Sequence, residues 1–317
     1  MHWILDSLQP VLTESRLVTI DQAAVVRFAD GLELSHFEDS EIIFVPEGLS
    51  TEQYYGFVFV LTALLFCFWG KPKWTLSNEG KSYGGSQSLQ LALTTAIRAG
   101  SPLTDPRYLA TVSRDDVAAI LARPVKIPLL DERVGLLHDL GSILINTYGT
   151  WTILVEKGGF QAAPLARFLA ETFPSVYADV ATYRGHSVGF YKKAQIFPVY
   201  VNDLAKKGFL PRKVEGMAEL TVGADYKLPQ ILRQLGILQY APSLATDVDN
   251  LNELAAGSEA EVEIRAATVW ATELIRQAAS KRLPDLTAGE VGCMLWLLSQ
   301  DKPKLTHPHH LTRSAWY

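Results

Sequence analysis

The residues best placed to do chemistry fall in Glu219–Tyr240, ELTVGADYKLPQILRQLGILQY. Its internal carboxylate, Asp225, stands two residues after Gly223 and just ahead of a helical pattern, with Ile231, Leu232 and Leu235 on one face. Leu220 and Val222 are apolar, and Gly223 suits a tight turn at φ > 0. Pro229 fits a first helical turn, and Gly236 reads as the stop. Two readings compete for Asp225. One is an N-cap, which local sequence favours. The other is a catalytic carboxylate at the bottom of a pocket. Proline at a fourth helical position deletes the first intrahelical bond. If the helix starts nearer Leu228, Asp225 lies in the turn ahead of it, free to point elsewhere.

Two further stretches carry paired readings. In GFYKKAQIFPVYV, Lys192 and Lys193 interrupt an apolar run. They form either a solvated helix face or an anion site for a phosphate. Lys193 and Gln195 lie two apart and do not share a helix face, so one is expected inside and the other outside or at a pocket rim. In Phe66-Cys67-Phe68-Trp69, Phe66 reads as core. Trp69 borders Gly70-Lys71-Pro72, where its ring either packs inward or stacks on a planar heterocycle. Glu261 suits the first turn of a helix, with Arg265 as its i+4 partner. His307, His309 and His310 are read as a solvated tail, since a metal site needs more ligands. His138 and His186 are read as structural or surface residues. Phosphate-loop, dinucleotide-binding, zinc-protease and nucleophile-elbow motifs are absent.

Helices must position these groups. The most apolar run, Tyr54–Trp69, is shorter than the ~20 residues of a membrane span. It is expected to be a buried helix, opened by a Ser50/Gln53 capping box and ended by Gly70-Lys71-Pro72. Pro10 is expected to break the first helix, and Asp21, Ser86, Asp105, Ser113 and Asp131 to start others. Further helical patterns are AAPLARFLAETF, SVGFYKKAQIFPVYVNDLAKKG, about 258–280, and 287–299. Glu41–Pro46 is a strand candidate, and Lys73–Leu76 is expected to be extended. No linker or repeat divides the chain. The expectation is one mostly α domain over 1–317, with room for two lobes and a few short strands.

Composition narrows the function classes. The 317 residues are 48% hydrophobic and 20% charged, with a formal net charge of −5 and a pI near 5.8. That mix is globular. The acidic balance argues against duplex binding, which needs a basic surface, and leaves room for a small anionic ligand. Cys67 and Cys293 sit in apolar runs and form no disulfide framework, so a reducing cytoplasm is expected. The start, MHWILDSLQPVLTESR, lacks signal-peptide features.

Several segments in order resemble the queuosine salvage family, the queuosine 5′-phosphate N-glycosylases. They are LFCFWG (65–70), YGGSQSL (83–89), LTDPRYLA (103–110), LLDERVGLLHDLG (129–141), FYKKAQI (190–196), LTVGADYKLPQILRQLGIL (220–238), GSEAEVEIRAATVWATELI (257–275) and HHLTRSAWY (309–317). The resemblance implies an all-helical fold similar to helix–hairpin–helix DNA glycosylases, with TVGADYKLP as a modified hairpin. It implies hydrolysis of the N-glycosidic bond of queuosine 5′-monophosphate to queuine and ribose 5-phosphate, the base being reused for tRNA modification. Asp225 matches the family's catalytic aspartate. Lys193, then Lys192, and more weakly Arg313, are implied for the phosphate. Trp69 and Phe68, with Ala224 and Tyr226 flanking the aspartate, are implied contacts to the nucleoside. No metal or redox cofactor is implied.

The chain departs from the family pattern at Leu65, at Gly70-Lys71, at Gly292 four residues before Trp296, and at Leu297. Two other functions compete: a glycosylase acting on nucleic-acid bases, and a base-binding carrier for 7-deazaguanines. The expected partner is a small nucleotide, not nucleic acid or membrane. Oligomeric state is not legible.

Overall fold

The computed structural model describes residues 2–33, 42–122, 125–300 and 305–317. The chain is mostly helical, and three two-stranded antiparallel ribbons are the sheets among these residues. Val18–Ile20 pairs with Leu238–Tyr240, Thr75–Asn78 with Lys81–Gly84, and Val180–Tyr183 with His186–Gly189. No helix of the described residues is long and apolar enough to cross a membrane.

Two apolar cores form. The first is centred on the helix Thr51–Ala63, which is buried on every face, as its lack of polar positions requires. Around it pack Leu130–Thr147, Trp151–Gly158, Ala162–Thr172 and Lys192–Lys206. The second core gathers Trp3–Glu14, Gln22–Asp30, Lys227–Gln234, Glu259–Ala279 and Ala288–Leu298. Trp3 and Tyr191, with ring centroids 4.4 Å apart, pack against both cores. Glu263 pins the N-terminal segment to the long helix. Its buried carboxylate accepts from Ser15 Oγ, the Leu17 and Val18 amides and Tyr183 Oη at 2.6–3.1 Å.

Most local start signals operate as read. Ser50 and Gln53 form a full capping box, and Asp21, Asp105, Ser113 and Ser258 each cap a helix with a side-chain oxygen. Other expectations are corrected. Pro10 lies inside the helix Trp3–Glu14, which carries on because Ile4, Leu5, Leu8 and Val11 anchor both sides of it. Ser86 is not a cap; the helix starts at Gly85, which holds φ +58°. His186–Gly189 is strand, and the lysine helix begins only at Lys192. The strand candidate is not one: Glu41 lies outside the described residues, and the amides of Ile43 and Phe44 donate to Gln90 Oε1. Side chains thus satisfy the backbone that a neighbouring strand would otherwise have satisfied.

Candidate active site

The buried helix stops at Ala63, not at Trp69, and this early stop creates the site. A helix end leaves carbonyls without intrahelical donors. Here three buried cations collect them. Lys193 Nζ donates to Ala63 O at 3.3 Å, Arg133 Nη1 to Leu64 O at 2.6 Å, and Lys192 Nζ to Leu65 O at 3.1 Å. Arg133 Nη2 reaches Phe66 O at 2.5 Å and Cys67 O at 3.2 Å, and its Nε donates to Pro128 O at 3.0 Å. The helix macrodipole favours positive charge at this end. Cys67 takes φ +42°, so Phe66-Cys67-Phe68-Trp69 is an irregular strip, not a helix face.

None of the three cations forms an ion pair with a carboxylate among the described residues. Burial lowers the Lys192 pKa to about 8 against the pull of Asp225, lowers that of Lys193, and lowers that of Arg133 to about 9. Aromatic faces supply part of the compensation. Arg133 lies 4.1 Å from the Phe66 ring centroid, and Lys193 lies 5.1 Å from Phe66 and 5.4 Å from Trp316.

The Asp225 loop is fastened to the lysine helix. Gln195 Oε1 accepts from Thr221 N at 2.8 Å and Thr221 Oγ at 3.0 Å. Lys193 and Gln195 are therefore both enclosed, at 0% and 2% exposure, contrary to the split expected from their spacing. At the first turn of a helix packed on all sides, every direction is inward. Gly223 does not take positive φ; its value is spatial, since a Cβ there would meet Lys192 Cγ at 3.0 Å.

Asp225 is half-buried and does cap its helix: Oδ1 accepts from Lys227 N at 2.8 Å and Leu228 N at 3.0 Å. Both bonds fall on Oδ1, so the capping and pocket readings are compatible within one carboxylate. The helix starts at Lys227 with Pro229 third, where the missing donor removes nothing the cap needed. Ala224 is fully buried, and the Tyr226 phenol lies against the Phe68 backbone with its pKa raised by burial. Phe68 stacks on Trp74 at 5.9 Å. Trp69 Nε1 donates to Thr312 O at 3.3 Å, while the exposed Arg313 covers the Trp69 ring at 4.7 Å and pairs with Glu253 at 3.2 Å.

The C-terminal segment is not a solvated tail. It runs across the site as a strap. Cys67 N donates to Tyr317 O at 2.9 Å, Gln230 Nε2 to His307 O at 2.7 Å, and Leu254 N to Leu311 O at 2.7 Å. His310 is buried, and the His309 ring sits 4.7 Å from that of Tyr226. Of the tail residues, Lys302 and Lys304 lie outside the described ones. His138 Nε2 meets Val112 O at 2.8 Å, a structural role, and His186 is exposed.

Asp225, Tyr226, Phe68, Lys192 and Lys193 thus converge, with Trp69 beneath the strap and Arg313 on its outer face. Sequence reading missed Arg133 and His309. Arg133 had a signal: it is a lone cation among Leu130, Leu136, Leu137 and Leu140 on a buried helix face. A surface cleft of about 310 Å³ lined by Phe160, Gln161, Arg212, Lys213 and Glu215 contains none of these residues. Among the described residues no cluster of three or more His, Cys, Asp or Glu could hold a metal ion.

Comparison with known proteins places the arrangement in a family. Residues 46–317 match the family model described as "Queuosine salvage protein". A protein of Sphaerobacter thermophilus named queuosine 5′-phosphate N-glycosylase/hydrolase is 39% identical, the match covering 99% of this chain and 97% of that one. Its namesake from Bos taurus is 33% identical over 98% of each chain. One from Mus musculus is 36% identical over 73% of this chain and 69% of its own. With the match running through the cation strip, the Asp225 loop and the strap, the chain belongs to the queuosine salvage protein family.

Proposed function

We propose that this protein hydrolyses the N-glycosidic bond of queuosine 5′-monophosphate, releasing queuine and ribose 5-phosphate. The observation that carries the reading is a charge imbalance. Arg133, Lys192 and Lys193 are buried together without a carboxylate ion pair among the described residues, with the half-buried Asp225 close to Lys192. Such a centre suits a ligand with a dianionic phosphate and a sugar that becomes cationic. The names of the relatives support the same substrate.

Glycosidic cleavage builds positive charge at the anomeric carbon. Asp225 Oδ1 is held by two amides, and Oδ2 is assigned to the sugar, where it stabilises that charge and orients water. Lys192 and Lys193 are assigned to the phosphate, Lys192 first, because its side chain borders the Asp225 loop at Gly223. Arg133 shapes the Phe66–Trp69 strip from beneath. Phe68, Trp69, Tyr226 and the Ala224 backbone are assigned to the nucleoside, and Arg313 to the rim. A 7-deazaguanine has carbon in place of N7, so protonation there cannot assist departure. The weight falls on stabilising the sugar cation and on hydrogen bonds elsewhere to the base.

We also infer that residues 1–317 act as one helical domain whose two cores are its lobes. The turn between the short 3-10 helix Met217–Glu219 and Lys227–Gln234 supports kinship with helix–hairpin–helix glycosylases. A cytoplasmic location accords with a chain of only two cysteines, Cys67 and Cys293, each set in an apolar run.

The direct test is incubation of purified protein with queuosine 5′-monophosphate and chromatography for free base. Release of queuine is expected, and Asp225→Asn is expected to lower turnover by about a thousandfold while keeping the helix cap through its amide oxygen. Tight binding of the nucleotide without release would instead indicate a carrier. Full turnover by Asp225→Asn would remove Asp225 from the chemistry.

A further inference from the structure

Resting on that assignment of the reaction, we propose that His309 contacts the substrate, its Nε2 accepting a hydrogen bond from the 2′-hydroxyl of the ribose. His309 lies on the strap, half-buried, with its ring tilted 39° against Tyr226, the residue next to Asp225. Its Nδ1 is 2.8 Å from the His310 carbonyl oxygen. A carbonyl only accepts, so Nδ1 carries the proton. In the neutral ring, Nε2 is then a bare acceptor. Burial, first among the causes, pushes the His309 pKa down to about 4, which agrees with a neutral ring. Among the described residues Nε2 has no hydrogen-bond partner.

The ring is fixed at both ends of its freedom. The Nδ1 bond sets its tautomer and spin, and the Tyr226 face sets its plane. The charged groups that act on it are Asp225 and Lys227 from the capped helix and Lys73 from the segment leading into the strand Thr75–Asn78. A neutral acceptor beside a carboxylate serves a ligand that offers hydroxyl donors next to a centre gaining positive charge. A phosphate has nothing to give such an acceptor. On a ribose, the hydroxyl nearest the anomeric carbon is the 2′-hydroxyl, and bonds to that group strengthen as a glycosidic bond breaks. The sequence reading gave His309 no task, because three histidines in a polar tail look like solvent-exposed residues.

The test pairs two substitutions with two sugar phosphates. His309→Phe keeps a ring on Tyr226 and removes the acceptor; His309→Gln returns an oxygen near the Nε2 position. Against queuosine 5′-monophosphate, His309→Phe is expected to lose about ten- to a hundredfold in kcat/KM, the scale of one or two tenfold steps in transition-state energy, with Tm close to wild type. His309→Gln is expected to recover part of it. By calorimetry, wild type is expected to bind ribose 5-phosphate more tightly than 2-deoxyribose 5-phosphate, and His309→Phe to bind the two equally. Wild-type kcat/KM in His309→Phe, or unchanged discrimination between the sugars in that variant, would overturn the proposal. If His309→Phe fails to fold, the calorimetric comparison with His309→Leu, which also lacks the acceptor, decides alone, its discrimination expected to vanish. Because the calorimetry needs no turnover, it reads His309 even if the wild-type protein releases no base, an outcome that counts against the reaction and not against the contact.

Discussion

Two buried cation centres lie close enough to act on each other, and they are built differently. Around Arg265 two carboxylates answer one guanidinium. Its guanidinium grips Asp179 at 2.5 and 3.0 Å and Glu261 at 3.4 Å, and Phe190 and Tyr317 cover its faces. Burial opposes its charge, yet those carboxylates raise its pKa above the ordinary arginine value. Around Arg133, Lys192 and Lys193 the direct contacts are carbonyls and ring faces, Asp225 and Asp179 act on the lysines without pairing, and all three pKa values fall under burial. Equal burial with opposite shifts separates a structural centre from one that retains unspent positive charge. The first holds the second core together. The second keeps its capacity for an anion.

The largest expected effect on stability lies at the Arg265 centre. Arg265→Met leaves Asp179 and Glu261 buried and unpaired, and should cost about 3–5 kcal/mol, seen as a drop in denaturation midpoint. If the midpoint barely moves, the network is not the structural half of the contrast. Lys193→Met should do the reverse. Ala63 O loses a donor, but a buried charge is also relieved, so the midpoint should shift far less. Substrate affinity should fall ~10- to ~150-fold, the worth of a charge-assisted bond of about 1.5–3 kcal/mol. Unchanged KM and kcat in that variant would take Lys193 out of the phosphate's contacts and leave Lys192.

A smaller effect follows from pH. Lys192 carries its proton below about 8 and loses it above. Affinity for the phosphate should therefore weaken as pH rises through 8. Unfolded lysine keeps its proton to about 10.4, so the unfolded chain binds more protons in this window and stability should rise there. Opposite slopes for binding and stability are the signature to look for in paired titration and melting series. The smallest effect concerns the strap. The pKa values of His309 and His310 are lowered to about 4 and about 3, against about 6.5 unfolded. Their contribution is present above 6.5 and lost as pH falls toward 4. Hydrogen exchange should show residues 305–317 loosening before either core.

The contrast also marks what the sequence made legible. The Glu261–Arg265 pair was readable because four residues along a helix bring side chains together. Asp179, the tighter partner, lies 86 residues away, and no local pattern points to it. Caps at Asp21, Ser50 and Ser113 were readable for the same local reason. The stop at Ala63 was not, because the apolar run continues to Trp69 and the groups that end the helix come from distant helices. Asp225 was legible as a cap, and the contest with a pocket carboxylate was artificial: one oxygen caps, and the other makes no cap bond. Lys192 and Lys193 were noticed as cations in an apolar run, but their grip on Ala63 and Leu65 depends on tertiary approach.

One small detail at the Asp225 loop has a wider consequence. A methyl group on Gly223 would press on Lys192 Cγ and Ile196 Cδ1, and one on Gly292 would collide with Val222. The loop is therefore wedged between two helices with less than a methyl's clearance on either side. Evolution of this active centre is constrained from outside the chemistry. A single added carbon would press the Asp225 loop away from Lys192, so the spacing between acid and lysine is recorded in two absent side chains.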